Sequence, residues 1–119
     1  MSLTNQQRAG AGLPALSANG ALTAAAAQHS SDQAGRNSMS HTGSDGSNAG
    51  ARLRANGGSF STWAENVAAG YGSAAGVVDG WMNSSGHRAN ILNPSMTQIG
   101  VAAATAADGT TYWTMVLSG

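Results

Sequence analysis

Three residues of this sequence could do chemistry together: His41, Glu65 and His87. Neutral imidazole is both a metal ligand and a general base. Two histidines and a carboxylate that leave one position open are the ligands of a catalytic zinc site. Glu65 is the only glutamate of the chain and lies between Trp63 and the apolar run 67–69, so we expect it to be desolvated and paired. The three residues are therefore candidate metal ligands and candidate catalytic residues.

Each of the three also has a structural interpretation. A loop histidine often satisfies only a local hydrogen bond, and a buried carboxylate often accepts backbone N–H groups. The spacing is not that of a His-Glu-x-x-His helix. Ser40, Ser84 and Ser85 lie near the histidines and leave a Ser–His hydrolase open, although the chain has no Gly-x-Ser-x-Gly elbow. Residue types alone therefore do not choose among these interpretations.

The other polar and aromatic residues are interpreted as structural. His29 is expected to be a core histidine, with Asp32 pairing one helical turn further on. Asp79 is expected to be solvated. The core is expected to be anchored by three tryptophans, since each can bury a large area: Trp63, Trp81 and Trp113.

Helix signals occupy most of the first 92 residues. Thr4 and Gln7 form a potential capping box, which would start a first helix. Gly12 and Pro14 are expected to end that helix. Asn19 is expected to cap a second helix. One face of this second helix is predicted to be buried and to contain Leu22, Ala25, Ala26, His29 and Gln33. The helix is expected to end near Gly35. A third helix is predicted over Ala49–Ala55. A fourth is predicted to begin after Ser73 and to place four residues in the core: Val77, Val78, Trp81 and Met82. A last helical turn is predicted over 87–92, with Ser85 as its cap.

The last quarter of the chain changes to an alternating pattern. The runs 98–105 and 112–117 alternate in polarity around Asp108 and Gly109, which indicates a β-hairpin. The stretch 59–69 fits either a short strand or a loop. Helices followed by a hairpin predict an α+β class in which helices pack on a small antiparallel sheet.

Length and composition restrict the function classes. The 119 residues fit a single domain, 1–119. Charged residues make up 8% of the chain, the net charge is zero and there is no lysine, so a nucleic-acid partner is not expected. The absence of cysteine excludes a disulfide framework. No apolar run is long enough for a membrane span. No charged-then-apolar signal sequence precedes Leu13, so any secretion signal is expected to have been removed or to lie outside this sequence.

Several strings taken together resemble the CAP superfamily of cysteine-rich secretory, antigen 5 and pathogenesis-related proteins, in its cysteine-free bacterial branch. They are SHTGSDG (40–46), AENVAAG (64–70) and WMNSSGHRANILN (81–93), followed by IGV (99–101) and YW (112–113). The resemblance covers the chain from about Leu13 onward.

The resemblance implies an α-β-α sandwich and a secreted protein. It also implies a cleft with two histidines and two glutamates, which often binds zinc or another divalent metal, and in some relatives a lipid. His41, Glu65 and His87 match three of those residues. The second glutamate is missing, because Met82, Asn83 and Ser84 follow Trp81. Asn66, Arg88 and Asn90 are expected to fix loops.

Three functions follow as hypotheses. The first is a secreted, monomeric binding module whose cleft holds a divalent metal or small ligand, with a lipid or protein as a further partner. The alternative is a zinc-assisted hydrolase or peptidase, in which His41 and His87 hold the metal and Glu65 holds it or activates its water. The third is an adaptor domain of a longer surface protein. We favour the first, in which the protein is not an enzyme.

Overall fold

The computed structural model describes residues 2–119 and contains five helices and four strands within them. In chain order these are α1 (Ser2–Gly10), β1 (Ser17–Ala18), α2 (Gly20–Gly35), α3 (Ala49–Ala55), β2 (Trp63–Ala69), α4 (Ala74–Met82), α5 (Ser85–Ile91), β3 (Gln98–Thr105) and β4 (Thr111–Ser118).

The four strands form one sheet in the order β1-β3-β4-β2. The predicted hairpin is confirmed, because β3 and β4 pair antiparallel from Gln98 with Ser118 to Thr105 with Thr111. Strand β2, which the sequence left open between strand and loop, pairs antiparallel with β4 along its whole length. The sheet is nevertheless mixed rather than purely antiparallel, since the two-residue β1 pairs parallel with β3.

Helices cover both faces of the sheet, which confirms the α-β-α sandwich. On one face, Met115 and Leu117 of β4 pack in a core with Trp81 of α4 and Ile91 of α5. On the other face, Val116 packs with residues of α2 and α3, namely Leu22, Ala26 and Leu53. The alternation along β4 therefore separates the two layers.

Helix α2 lies directly on the sheet at Gly100 of β3. A Cβ atom at this position would overlap the main chain of Leu22 and Thr23. Glycine is needed here because only a residue without a side chain lets helix and strand approach so closely.

Several local predictions are confirmed. Asn19 caps α2 by accepting from the N–H groups of Ala21 and Leu22, and Ser73 caps α4 through the N–H of Gly76. All five residues of the predicted α2 stripe are buried. Helix α3 has the predicted bounds. Caps and stripes depend on residues close in sequence, which is why they could be predicted.

Other predictions need correction. Thr4 is not a cap: α1 begins at Ser2, and Thr4 lies buried inside it. Helix α5 has Ser84 rather than Ser85 at its N-cap position, without a side-chain cap bond. Trp63 is 38% exposed and so is not a core anchor, because it lies at the start of the edge strand β2. Trp81 is buried as predicted, and Trp113 is half-buried.

A buried arginine fixes α1. Arg8 is 1% exposed and donates to the carbonyl oxygens of Pro14, Ile91, Asn93 and Met96. Burial lowers the pKa of Arg8. The helix is thus tied to the end of α5, a contact that no local pattern indicates.

None of the helices in residues 2–119 combines the length and the hydropathy that crossing a membrane requires.

Candidate functional site

Glu65 of β2 holds the ring of His41. The Glu65 side chain is 1% exposed, whereas that of His41 is 61% exposed, and Nδ1 of His41 lies 3.0 Å from Oε1 of Glu65. An ionised carboxylate only accepts hydrogen bonds, so Nδ1 carries the proton that is donated. In the neutral ring, Nε2 is then the atom with the free lone pair.

The second oxygen of Glu65 is bound by Arg52 of α3. Nη2 of Arg52 lies 2.6 Å from Oε2 of Glu65 and 3.1 Å from the main-chain oxygen of His41. Nη1 donates to the main-chain oxygen of Ser47 at 2.8 Å. Arg52 is 3% exposed, so this is a buried ion pair in which the other arginine hydrogen bonds go to the loop that carries His41.

His29 of α2 lies behind Glu65. Its ring is fully buried, its Nε2 is hydrogen-bonded to the main-chain oxygen of Ser40, and it lies 4.0 Å from Oε1 of Glu65. Burial lowers the pKa of His29. The prediction of a core histidine is confirmed. Its predicted pairing with Asp32 is wrong, because Asp32 instead accepts from the N–H of Ser44 and pairs with Arg36.

His87 lies in the first turn of α5, on the other side of β2. Nδ2 of Asn66 donates to its main-chain oxygen at 3.2 Å, and Oδ1 of Asn66 accepts from Asn90 at 2.9 Å. Asn66 therefore fixes the main chain at His87, as predicted. Asn90 acts through the side chain of Asn66 rather than through a main-chain carbonyl, and the exposed Arg88 makes no side-chain hydrogen bond within residues 2–119, so the role predicted for Arg88 is wrong. The pKa of His87 is lowered by partial burial and, to a smaller extent, by the nearby charge of His41. A ring of lowered pKa favours the neutral, ligand-competent form.

The ring of His87 also lines an open, mainly apolar groove of about 300 Å³. Its walls include Trp81, the exposed residues Met39 and Tyr71, and Ser84. Gly80 of α4 leaves room for Tyr71, because a Cβ atom at Gly80 would overlap the Tyr71 hydroxyl.

A second cavity, of about 380 Å³, lies between α2 and the 43–47 loop, with His29, Asp32 and Arg52 among its walls. Within residues 2–119, Nδ1 of His29 and Nε of Arg52 are buried without a hydrogen-bond partner. Sequence reasoning missed Arg52, because its partner Glu65 lies 13 residues further along the chain and no local pattern links the two.

The donors do not fit a three-ligand metal site. No group of three His, Asp or Glu side chains in residues 2–119 is arranged to hold a metal ion. Both oxygens of Glu65 already accept hydrogen bonds from His41 and Arg52. At the position of the missing glutamate, Met82 is half-buried and Asn83 caps its own helix by donating to Asp79. Glu65 is thus engaged as the hydrogen-bond partner of His41 and Arg52.

The fold is that of a CAP domain, and comparison with known proteins supports this. The profile of the cysteine-rich secretory protein (CAP) family matches residues 1–117, and the chain belongs to that family. It is 38% identical over 101 residues to the uncharacterized protein YkwD of Bacillus subtilis, a match covering 85% of this chain and 39% of YkwD. It is 34% identical to the Bacillus subtilis membrane protein YlbC, again over 85% of this chain but 29% of YlbC. The chain thus spans about a third of the length of these relatives.

Solved structures show the same fold. An extracellular, SCP-domain protein of Bacillus anthracis superposes with a TM-score of 0.87 at 31% identity, covering 97% of this chain and 37% of that one. An outer surface protein of Borrelia burgdorferi superposes with a TM-score of 0.90 at 21% identity, covering 98% and 86% of the two chains.

Proposed function

We propose that this chain is a secreted binding module whose cleft binds a divalent metal, with zinc as the first candidate, through the imidazoles of His41 and His87. Glu65 acts behind His41 rather than as a ligand. The extracellular and outer-surface descriptions of the structural relatives support secretion.

The observation that carries the proposal is the hydrogen bond between Glu65 and Nδ1 of His41. A carboxylate that accepts from one ring nitrogen fixes the tautomer and the orientation of the ring and makes the other nitrogen a better ligand. Here that other nitrogen, Nε2, belongs to a side chain that is 61% exposed. The fixed imidazole is therefore open to a ligand from solvent.

His87 supplies the second imidazole. Its lowered pKa keeps it neutral near pH 7, which metal ligation requires. The remaining positions around a bound zinc are left for water or a small ligand, because Glu65 is engaged with Arg52. A bound metal supplies Lewis acidity to whatever fills those positions.

The zinc-assisted hydrolase stays a prediction. In that hypothesis Glu65 ligates the metal or activates its water. Both of its oxygens are hydrogen-bonded in the structure, and the side chain is only 1% exposed. This geometry supports a holding role and favours binding over hydrolysis.

Calorimetric titration of zinc into the wild-type protein, His41→Ala and His87→Ala tests the proposal. We expect one site in the wild type and at least about a tenfold loss of affinity in each variant. Asp79→Asn, which removes an exposed carboxylate of α4, is the matched control and is expected to bind as the wild type does. Absence of zinc binding to the wild type near neutral pH, or wild-type affinity in both histidine variants, would overturn the metal site.

A further inference from the structure

The guanidinium of Arg52 contacts both ends of the loop 41–47 and the carboxylate that holds the His41 ring. Arg52 binds the Glu65 carboxylate, the main-chain oxygen of His41 and the main-chain oxygen of Ser47. Its hydrogen bonds thus reach both ends of the loop 41–47 and the carboxylate that holds the ring.

We propose that Arg52 is the positioning residue of the cleft. It holds Glu65 in place and clamps the His41 loop, and so presents Nε2 of His41 in one orientation. The expected effect of Arg52 on metal binding rests on the proposed function. The expected effect of Arg52 on the orientation of the His41 ring does not depend on a metal.

The need for such a clamp follows from the loop itself. Residues 41–47 include Gly43 and Gly46, and Gly46 adopts a φ of +84°. The loop closes on itself through the Gly43 N–H and the oxygen of Ser47, 2.8 Å apart, but His41 itself is largely exposed. Arg36 and Asp32 bind the loop main chain at Thr42 and Ser44, whereas Arg52 binds the main-chain oxygen of His41 itself. Without that tie, the exposed histidine would sample several orientations, and ordering it would cost part of the ligand's binding energy.

Charge gives Arg52 a second role at the same place. Glu65 is a buried carboxylate, and a buried charge needs a partner. His29 lies 4.0 Å away, but burial lowers its pKa and favours its neutral form. Arg52 is therefore the cation that compensates Glu65.

Lysine cannot replace this arginine. The planar guanidinium presents several donors in fixed directions, whereas an ammonium is a compact point charge. Arg52→Lys keeps the charge and loses the geometry that reaches carboxylate and loop together. Arg54 offers a matched control: it lies on the same helix, is exposed, and stacks 4.6 Å over the ring of Phe60.

The experiment compares Arg52→Lys, Arg52→Gln and Arg54→Lys in two measurements. The first is 15N NMR of the metal-free protein, which reports which ring nitrogen of His41 carries the proton. In the wild type and Arg54→Lys we expect the Nδ1–H tautomer to dominate. In both Arg52 variants we expect a mixture of tautomers with broadened ring signals.

The second measurement is zinc affinity, for which we expect a loss of about tenfold or more in the Arg52 variants and none in Arg54→Lys. In a Glu65→Gln background the additional effect of Arg52→Lys should shrink, because residues that act as one unit are not additive. A folded Arg52→Lys protein with an unchanged His41 tautomer and unchanged zinc affinity would overturn the inference. If the wild type binds no zinc, the proposed function fails, while the tautomer measurement still decides the role of Arg52.

Discussion

Glu65 and Asn66 are neighbours on β2 whose side chains point to opposite faces of the sheet. Glu65 holds the ring of His41 at 3.0 Å on the α2 and α3 face, and Asn66 holds the main chain of His87 at 3.2 Å on the α5 face. Because β2 is an edge strand, segments from the two helical layers meet at this edge. Two successive residues of one strand therefore bind the segments of two histidines that are 46 positions apart in the chain.

Asn66→Ala should loosen His87. The substitution removes the hydrogen bonds to the His87 oxygen and to Asn90 and leaves these groups without their partner. We expect a loss of about 1–3 kcal/mol in the free energy of unfolding and weaker zinc binding. Urea unfolding and zinc titration measure the two effects. Gln6→Ala changes an exposed amide of α1 and should cost about 0.5 kcal/mol or less; equal losses in both variants would contradict the role of Asn66.

Gly100→Ala should strongly destabilise the domain. Its Cβ atom would overlap the main chain of α2, so helix and sheet must separate. We expect a loss of about 3 kcal/mol or more, at the upper end of overpacking effects. Gly86→Ala on α5 meets nothing within 4 Å and should instead stabilise by about 0.5–1 kcal/mol. Thermal unfolding of both variants checks the opposite signs.

Arg8→Met should remove the anchor of α1. Four carbonyl oxygens lose their donor, and the buried oxygens of Ile91 and Met96 cannot all find water. We expect a loss of about 3 kcal/mol or more, because each buried acceptor left unsatisfied costs about 1–3 kcal/mol. The exposed Arg88 provides the control, with an expected change within about 0.5 kcal/mol for Arg88→Met. Denaturant unfolding distinguishes them, and similar midpoints would show that the Arg8 contacts contribute nothing.

Stability should fall as the pH is lowered below about 6.5. The pKa values of His29 and His87 are lowered in the folded state, so below the ordinary histidine value of about 6.5 the unfolded chain binds more protons. Their contribution is fully present above that value and is lost as the pH falls towards the folded pKa values. Melting temperatures between about pH 7.5 and 5 should show this loss, and His87→Gln should flatten it. A melting temperature independent of pH across that interval would contradict the prediction.

Features that depend on neighbours in sequence could be predicted from the sequence. The Asn19 cap, the α2 stripe, the bounds of α3 and the C-terminal hairpin each arise within one continuous stretch of sequence, where side-chain period, turn residues and capping chemistry act directly. The residue types of His41, Glu65 and His87 likewise mark them as candidates for one site.

What only the tertiary structure decided involves partners that are distant along the chain. The four carbonyl oxygens bound by Arg8 include three from residues 91–96, β1 exists only because it pairs with β3, and Trp63 is exposed because β2 lies at the sheet edge. The residue types predict Glu65 as a ligand, but Arg52 and His41 occupy its two oxygens. Composition and spacing identify which residues can take part in a site. Long-range packing decides which hydrogen bonds each of them makes, because a buried polar group bonds to whatever the fold places beside it.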